Sequence, residues 1–274
     1  SKNTANVKID NTLSLVYTAN NRMAQEKIYI FGKHALVEAL RQTPQAVEEV
    51  FLAVGLDDEE IRKLALGAKV PVAKLGSVLP SGVDKEAVHQ GAIGRVNVER
   101  LMRPYREFAD GLKVGPDTAL VLLGEVHDPQ NVGAIIRSAA AFGIAGVLIP
   151  EHNQAQITGN VIKVSAGMAF RVPLVSVGNV NTVVRDMKDR GFWIYGLDEE
   201  GAHSIVDEKF DVPTMLVLGN EAKGIRVKTR ELCDILVSIP MNPECESLNV
   251  AASAAVALFA WSAKHPQALK GKKK

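Results

Sequence analysis

Short apolar runs alternate with amphipathic stretches along the chain from Lys27 onward. A short apolar run bounded by polar residues is typical of a strand, and apolar positions three or four residues apart are typical of a helix. In the first hundred residues this pattern predicts a helix at 35–41 and strands at 28–31, 50–54, 70–73 and 92–96. The acidic residues at 57–60 suit the first turn of a second helix, because negative charge is favoured at a helix N-terminus. This part of the chain is therefore predicted to be a small α/β unit.

A second series of apolar runs begins at Ala119. Its amphipathic segments predict helices at 132–142, 180–190 and 249–263, and its apolar runs predict strands at 119–123, 146–149, 172–177, 192–197, 215–218 and 235–239. Several of these strands are apolar nearly throughout, as strands covered on both faces are. Strands and helices that alternate in this way predict a parallel α/β sheet with helices on both sides.

The segment between the two series, 101–117, contains two prolines and two glycines among charged residues, and it is predicted to be a linker. A chain of 274 residues is long enough for two domains that each bury a core. The predicted organisation is an N-terminal extension without regular structure at 1–26, a first domain at 27–100, the linker at 101–117, a second domain at 118–265 and a basic tail at 266–274.

Hydrophobic residues make up 47% of the chain and charged residues 23%, which excludes an intrinsically disordered protein. The formal net charge of +1 gives no broad basic footprint for a nucleic acid, although a local patch would suffice. The two cysteines, Cys233 and Cys245, are too few for a disulfide scaffold and indicate a reducing, cytoplasmic location. Because no apolar run is long enough to span a bilayer, a membrane partner is not predicted.

The first segment with candidate chemistry is 128–139, which follows a predicted buried strand and opens a helix. Asn131 suits the N-cap position of that helix. Arg137 has only glycine and alanine at the helix positions three and four residues away, so the pattern places a long cation on a face of very small residues. A ligand or another backbone can approach such a face closely. On this segment alone, a structural ion pair is the favoured interpretation of Arg137.

The second segment, 216–226, is a strand that runs into a glycine loop containing Glu221. Its two glycines have the spacing of a phosphate-binding loop, but Ile225 and Arg226 stand where that loop needs Lys and then Ser or Thr. The three-glycine dinucleotide fingerprint is absent from the sequence as well, so a nucleotidase and a dehydrogenase are both disfavoured. A plain turn in which Gly219 has a positive φ explains the segment as well as a ligand loop does.

The third segment, 239–252, is a polar loop between a predicted strand and an alanine-rich helix. Ser247 or Asn249 would serve as the helix cap. Together, the three segments place polar side chains at strand ends and helix starts, which is where parallel α/β folds bind their ligands.

The three segments, taken in order, resemble the three sequence motifs of the SpoU family of RNA ribose methyltransferases, within the SPOUT superfamily. The resemblance covers residues 119–263. Pro243 is a departure, since the family usually has glycine there, and proline fixes φ and removes an N–H donor. In the first domain, 29–40 and His89-Gln90-Gly91 resemble the N-terminal substrate domain of the branch that methylates large-subunit ribosomal RNA. That domain is similar to a small ribosomal-protein-like RNA-binding fold.

The resemblance implies S-adenosylmethionine-dependent methylation of a ribose 2′-hydroxyl, with a guanosine of large-subunit ribosomal RNA as the target and transfer RNA as the alternative. It also implies a deep trefoil knot at the C-terminal end and a homodimer with active sites at the subunit interface. The cofactor would bind in the knot around Gly219, Ile239 and Leu248, and no metal is implied. The implied catalytic residues are Asn131, Arg137, Glu221, Ser247 and Asn249.

Two questions stay open at the level of sequence. Arg137 could act as the general base, or it could stabilise the developing alkoxide while another group takes the proton, because a guanidinium is almost always protonated. A catalytically silent RNA-binding or ribosome-assembly protein on the same fold is the alternative function. The presence of Asn131, Arg137, Glu221 and Asn249 together argues against that alternative.

Overall fold

The computed structural model describes residues 28–56, 58–76, 78–80, 83 and 89–270. The predicted extension at 1–26 and the last four residues of the predicted tail lie outside these ranges, as does Asp57. Within them, two sheets account for the strands: a four-stranded sheet from the first hundred residues and an eight-stranded sheet from the rest. No helix in the described part is long and apolar enough to cross a membrane.

The first sheet has the strand order β1-β4-β2-β3, and its strands are β1 (Ile28–Phe31), β2 (Val47–Ala53), β3 (Val72–Leu75) and β4 (Ala92–Val96). Strand β4 is antiparallel to β1 and β2, while β2 and β3 are parallel. Helices α1 (Lys33–Gln42) and α2 (Glu59–Gly67) pack against each other, and α1 also contacts β1 and β4. Asp58 caps α2 by accepting a hydrogen bond from the Ile61 backbone N–H at 3.1 Å, and acidic residues follow in the first turn as predicted.

The second sheet contains β5 (Met102–Pro104), β6 (Ala119–Leu123), β7 (Gly146–Pro150), β8 (Leu174–Val177), β9 (Trp193–Leu197), β10 (His203–Ser204), β11 (Thr214–Leu218) and β12 (Ile235–Ser238). Its order is β10-β12-β9-β11-β6-β7-β8-β5, and every neighbouring pair is parallel. Every residue of β6, β7 and β11 is buried. The predicted parallel sheet is therefore confirmed.

The helices that cover this sheet are α3 (Tyr105–Gly111), α4 (Pro129–Ala141), α5 (Gly159–Val164), α6 (Val180–Asp189), α7 (Val227–Arg230) and α8 (Val250–Ser262), with 3-10 turns at Pro44–Ala46 and Met168–Phe170 in the chain as well. Alternate residues of β6 belong to different cores. Val121 shares a core with α4 and α8, whereas Leu120 shares one with α6. Two faces buried in this way explain why β6 is apolar at every position.

The stretch predicted to be a linker is partly regular structure, which corrects that prediction. Strand β5 pairs with β8 at the edge of the large sheet, and α3 follows it directly. Pro104, with φ −60°, ends the strand and stands at the N-cap of α3. The side chain of Phe108 is buried over Gly146, where an added Cβ would lie 2.6 Å from its ring. The prolines and glycines therefore separate short elements here rather than forming a loose connection.

The two sheets are joined by packing as well as by the chain. Strand β1 contacts α5, and α1 contacts the 3-10 turn Met168–Phe170. The Arg171 guanidinium donates two hydrogen bonds to the Glu38 carboxylate, from Nε at 2.5 Å and from Nη2 at 2.8 Å. The start of the predicted tail also packs, since the backbone of Ala268 lies closely over Gly143.

The chain order of the large sheet reverses between β6 and β11. From β6 the chain builds the sheet outward through β7 and β8, and it then returns to place β9, β11 and β12 on the other side. Ligands of open parallel sheets bind at the carboxyl ends of the strands beside such a switch point. Here the Gly124 N–H donates to the Leu218 carbonyl at 2.7 Å, so the loops after β6 and β11 start in contact.

Candidate active site

The loop after β6 leads into α4, whose cap differs from the prediction. Asp128 occupies the N-cap and accepts a hydrogen bond from the Gln130 backbone N–H at 2.8 Å, with Pro129 as the first helical residue. Proline suits that position because its missing N–H would have no helical partner there. Asn131 is therefore not the cap, and it lies in the first turn with 8% of its surface exposed. Its amide is free to serve the site instead.

Asn131 connects all three motif segments. Its Nδ2 donates to Glu221 Oε1 at 3.1 Å, and its Oδ1 accepts from Asn249 Nδ2 at 2.9 Å. Asn249 is the N-cap of α8, as one of the two predictions had it, and its Oδ1 accepts from the backbone N–H groups of Ala251 and Ala252. We call Asn131, Glu221 and Asn249 the polar cluster. Each of its hydrogen bonds has one defined direction, because Glu221 can only accept.

The Glu221 carboxylate is held by three further contacts. The backbone N–H groups of His127 and Asp128 approach its oxygens at 3.5 Å each, and Asn220 Nδ2 approaches at 3.3 Å. Partial desolvation opposes ionisation of Glu221, but the hydrogen bonds from its own backbone N–H, Asn131, Asp128 and His127 outweigh it and lower the pKa of the carboxyl below its usual value. At neutral pH Glu221 is a fixed negative charge.

Asn220 is a site residue that the sequence reasoning did not single out. Its Nδ2 donates to the Glu125 carbonyl at 2.8 Å, and its Oδ1 accepts from the backbone N–H groups of Ala222 and Lys223. The side chain thus shapes the loop 219–226 and joins it to the loop after β6. The sequence feature that could have identified Asn220 is its position between Gly219 and Glu221, which were both predicted to belong to the site.

The glycines of this loop work differently from the prediction. Gly219 does not have a positive φ; Gly224 does, at +65°. Gly219 is instead a point of close approach, since an added Cβ would lie 2.3 Å from the Gly224 carbonyl carbon. Two hydrogen bonds between Asn220 and Gly224 close the loop. Glycine is therefore needed at position 219 because a side chain would not fit there, and at position 224 because the backbone has a positive φ.

A cavity of about 450 Å³ lies at the carboxyl ends of β9, β11 and β12. Gly219, Ile239 and Leu248, the three residues expected to bind the cofactor, all line it, and so do Ser247 and Glu221. The volume is in the range of pockets that take ligands of cofactor size. The close approach at Gly219 leaves the main chain of the loop as a wall of the cavity. The volume and the lining residues therefore fit a ligand of cofactor size.

Pro243 is accommodated by a turn in the loop between β12 and α8. The Cys245 N–H donates to the Asn242 carbonyl at 2.9 Å, which closes a four-residue turn with Pro243 in its second position. Proline is favoured there because its fixed φ is the one that the turn needs. The Asn242 side chain also accepts from the Glu244 N–H at 3.0 Å. The departure from the family pattern therefore leaves this loop well formed.

Two expected catalytic residues stand apart from the polar cluster. Arg137 is exposed on α4 and makes no hydrogen bond or ion pair with any residue in the described ranges. The structural ion pair favoured from that segment alone is thus not found among the described residues. Ser247 is exposed at the rim of the cavity, also without a hydrogen-bond partner in the part of the chain that the structure describes.

Comparisons with known proteins agree with this architecture. A sequence profile described as the SpoU rRNA methylase family matches residues 118–259, and one described as RNA 2′-O ribose methyltransferase substrate binding matches residues 29–100. The chain is 37% identical to the 23S rRNA (guanosine-2′-O-)-methyltransferase RlmB of Xanthomonas axonopodis pv. citri, over 86% of this chain and 96% of the relative. It is 38% identical to the RlmB protein of Yersinia pestis, over 84% and 94% of the two chains.

Among solved structures, the fold is similar to that of the SpoU methyltransferase AviRb from Streptomyces viridochromogenes in complex with AdoMet. The TM-score is 0.71 at 24% sequence identity, and the similarity covers 93% of this chain and 97% of that one. The likeness includes both sheets, because it extends over nearly the whole chain.

Proposed function

Because the chain belongs to the SpoU rRNA methylase family, we propose that it transfers the methyl group of S-adenosylmethionine to the ribose 2′-oxygen of a guanosine in 23S ribosomal RNA. The observation that carries the proposal is the polar cluster, in which one residue from each motif segment meets at the edge of the cofactor-sized cavity. The base and the RNA come from the names of the RlmB relatives. Ribosomal RNA as the substrate agrees with the cytoplasmic location that the isolated cysteines predict.

The cofactor would be held by the main chain around Gly219, Ile239 and Leu248. When bound, S-adenosylmethionine supplies an electrophilic methyl group, so the protein's task is to align a ribose oxygen with it. Glu221 is positioned for this task as a fixed negative charge, and Asn131 and Asn249 hold it in one orientation. Ser247, at the rim of the same cavity, has a free hydroxyl that can hydrogen-bond to substrate or cofactor.

Arg137 is the cation of the reaction in this proposal. A 2′-hydroxyl is a weak nucleophile until its proton leaves, and a guanidinium close to the oxygen favours the alkoxide that forms. The exposure of Arg137 supports stabilisation of charge over proton removal, because a solvated guanidinium stays protonated. Because Arg137 keeps its own proton, the proton of the 2′-hydroxyl passes to solvent as the methyl group is transferred. A base role would require a partner or RNA to desolvate Arg137.

We also propose a homodimer that covers Arg137. The outer face of α4 carries the exposed residues Gln130, Arg137 and Ala141 and the half-buried Ala134, so its one cation has small residues beside it. Beside it lies what we call the apolar stripe, which is the exposed face of α8 at Ala252, Val256 and Phe259 together with the C-cap residue Ala263. Phe259 is 59% exposed and contacts the ring of Phe142 at the end of α4, with the ring centroids 6.0 Å apart. Such a continuous small and apolar face suits helix-to-helix packing with a second copy.

The proposal retains two further expectations of the family. One is a trefoil knot formed by the chain after β11, where the loop 219–226 and the loop 239–249 line the same cavity. The other is that the domain of the first sheet binds RNA and the domain of the second sheet binds the cofactor.

Deletion of residues 1–93 is expected to leave cofactor binding intact and to remove most RNA affinity. Equal RNA affinity in the truncated protein would assign the first sheet another role.

Isothermal titration with S-adenosylmethionine, followed by methylation of unmodified 23S rRNA, tests the proposed function. Binding of the cofactor together with incorporation of 2′-O-methylguanosine is the expected result. Cofactor binding without methylation of any RNA would favour the catalytically silent alternative. Methylation of transfer RNA with no methylation of 23S rRNA would place the chain in the other branch of the family.

A further inference from the structure

A second cavity, of about 350 Å³, lies at the same edge of the large sheet. We call it the lateral cleft. Its walls are the loops 124–125 and 150–153, the start of α6 at 178–181 and the segment 225–229. Ile225 lines both cavities, so the loop 219–226 is a wall that they share. A ligand in the lateral cleft would therefore lie beside the cofactor cavity without entering it.

Two connections join the lateral cleft to the polar cluster. The carbonyl of Glu125, on the cleft wall, accepts a hydrogen bond from Asn220 Nδ2, which also approaches the Glu221 carboxylate, and the Glu125 carboxylate pairs with Arg226. His127 donates its backbone N–H to Glu221, and its Nε2 lies 3.0 Å from the Asn153 carbonyl. The same short loops thus form the cleft and position the catalytic carboxylate.

The backbone of the cleft is held in an uncommon conformation at two non-glycine residues. Glu125 has φ +67° and Asn153 has φ +54°. Left-handed backbone at residues with side chains costs free energy and is concentrated at functional sites, where surrounding contacts maintain it. The hydrogen bonds of Glu125 and Asn153 carbonyls to Asn220 and His127 are such contacts.

The side chains of the cleft leave hydrogen-bond donors and a cation available. Asn179 Oδ1 accepts from the Thr182 N–H, and Asn181 Oδ1 accepts from Thr229 Oγ1. The amide nitrogens of both asparagines make no hydrogen bond to other described residues, and each can donate to a ligand. Lys228 and His152 are exposed, and neither has a hydrogen-bond or ion-pair partner in the described ranges.

Part of the remaining lining is apolar. Pro150, Val217 and Val227 contribute to it, and Val227 is 70% exposed in the described protein. A flat ring with polar edges matches a cleft that combines apolar walls, amide donors and an imidazole. Proteins read single-stranded RNA by splaying out bases, stacking them on rings such as histidine and hydrogen-bonding to their edges.

We propose that the lateral cleft binds an unpaired nucleotide of the RNA that neighbours the methylated guanosine. The amides of Asn179 and Asn181 hydrogen-bond to its base, His152 stacks on it, and Lys228 contacts a backbone phosphate. The inference rests on the proposed function and adds to it a specificity-determining subsite on the catalytic domain. The subsite needs no broad basic surface, in keeping with the net charge of +1, because one cation and a set of hydrogen bonds form it.

The combined variant His152→Ala/Lys228→Glu tests the subsite, because both side chains are exposed and their loss leaves no described residue unpaired. With unmodified 23S rRNA transcript as the substrate, we expect the KM for RNA to rise about tenfold, while the dissociation constant for S-adenosylmethionine is unchanged. Lys113→Glu is the matched control: it makes the same charge change at the opposite edge of the sheet, before β6, and is expected to behave as wild type. An unchanged KM in the double variant would overturn the proposal.

A photocrosslink locates the nucleotide. A benzophenone amino acid in place of Val227 is expected to crosslink to 23S rRNA within a few nucleotides of the methylated position. The same replacement at Val114, which is 40% exposed at the opposite edge, is expected not to do so. Crosslinks elsewhere in the RNA, or none while the replaced protein still methylates, would contradict the cleft as a subsite. Absence of methylation by the wild type with any RNA would instead refute the proposed function.

Discussion

The polar cluster and Arg137 are implied by the same family motifs, but the structure gives them opposite settings. Asn131, Glu221 and Asn249 are joined by hydrogen bonds of 3.1 and 2.9 Å and are complete within one chain. Arg137 starts from the same helix as Asn131, and yet it faces solvent without a partner in the described residues. The difference indicates that the polar cluster is preorganised by folding. In the proposed function, Arg137 is completed only when RNA or a second copy of the chain covers it.

The largest effect on methyl transfer is expected from substitution of Arg137. Arg137→Ala should lower kcat by about 10²–10³-fold or more, because it removes the cation that stabilises the developing oxyanion. The thermal midpoint and the cofactor affinity should be unchanged, since Arg137 is exposed and makes no hydrogen bond or ion pair with a described residue. Arg137→Lys should fail as well, because a point charge does not reproduce the planar fork. Single-turnover methylation of 23S rRNA is the measurement, and wild-type activity in either variant would refute the assignment.

The next largest effect is expected from a substitution in the proposed dimer interface. Phe259→Asp places a charge in the apolar stripe and should convert a dimer to a monomer that binds RNA but has lost most methyl transfer. Sedimentation velocity at micromolar concentration reports the oligomeric state. Val206→Asp is the control, since Val206 is 65% exposed outside the stripe. If the wild-type protein is monomeric and active, Arg137 acts without a subunit interface, and the proposed dimer is wrong.

Two substitutions at Asn249 test whether the polar cluster serves activity as well as folding. Asn249→Ala removes the cap of α8 and should lower the free energy of unfolding by about 1 kcal/mol. Asn249→Asp keeps an oxygen for the cap but loses the Nδ2 donor to Asn131, and it adds a carboxylate near Glu221. It should therefore keep the stability that the cap contributes and lose activity. Urea unfolding and kcat, measured on both variants, decide this; parallel losses in stability and activity would make Asn249 a structural residue alone.

The smallest effect is the pH dependence of Glu221. Its pKa is lower in the folded protein than its usual value of 4.5, so its contribution to stability is present above that value and is lost as the pH falls through the folded pKa. Because the side chain is largely exposed, the effect on folding is small. Thermal midpoints of the wild type and of Glu221→Gln, measured from about pH 6 down to about pH 3, should converge at the acid end. A constant difference across this range would mean that Glu221 is not held by its hydrogen bonds.

The fold was predicted best where burial alone decides structure. Strand β6 was predicted with its observed bounds because all five of its residues are buried on two faces. The stretch 101–117 was misread because proline and glycine indicate where elements end but do not show whether Phe108 and Ala109 between them are buried. A local pattern contains no information about the partner strand, and β5 exists because β8 is beside it.

The candidate site was predicted as a set of residues and not as an arrangement. All three expected cofactor residues line one cavity, because strand ends of a parallel sheet meet at one edge. The roles within the loops were wrong where they depend on contacts distant in sequence. Asp128 caps α4 in place of Asn131, and Gly219 is needed for close packing against Gly224 instead of for a positive φ. Asn220 was not predicted because its role depends on a hydrogen bond to the carbonyl of Glu125, which is 95 residues away in the sequence.

The most direct test of the account is the identity of the methylated nucleoside. Unmodified 23S rRNA is incubated with S-adenosylmethionine labelled in its methyl group and with either wild type or Arg137→Ala, and the RNA is then digested to nucleosides and separated. The account predicts label in 2′-O-methylguanosine with the wild type and none above background with the variant. Label in a methylated base, or equal 2′-O-methylguanosine with both proteins, would contradict it.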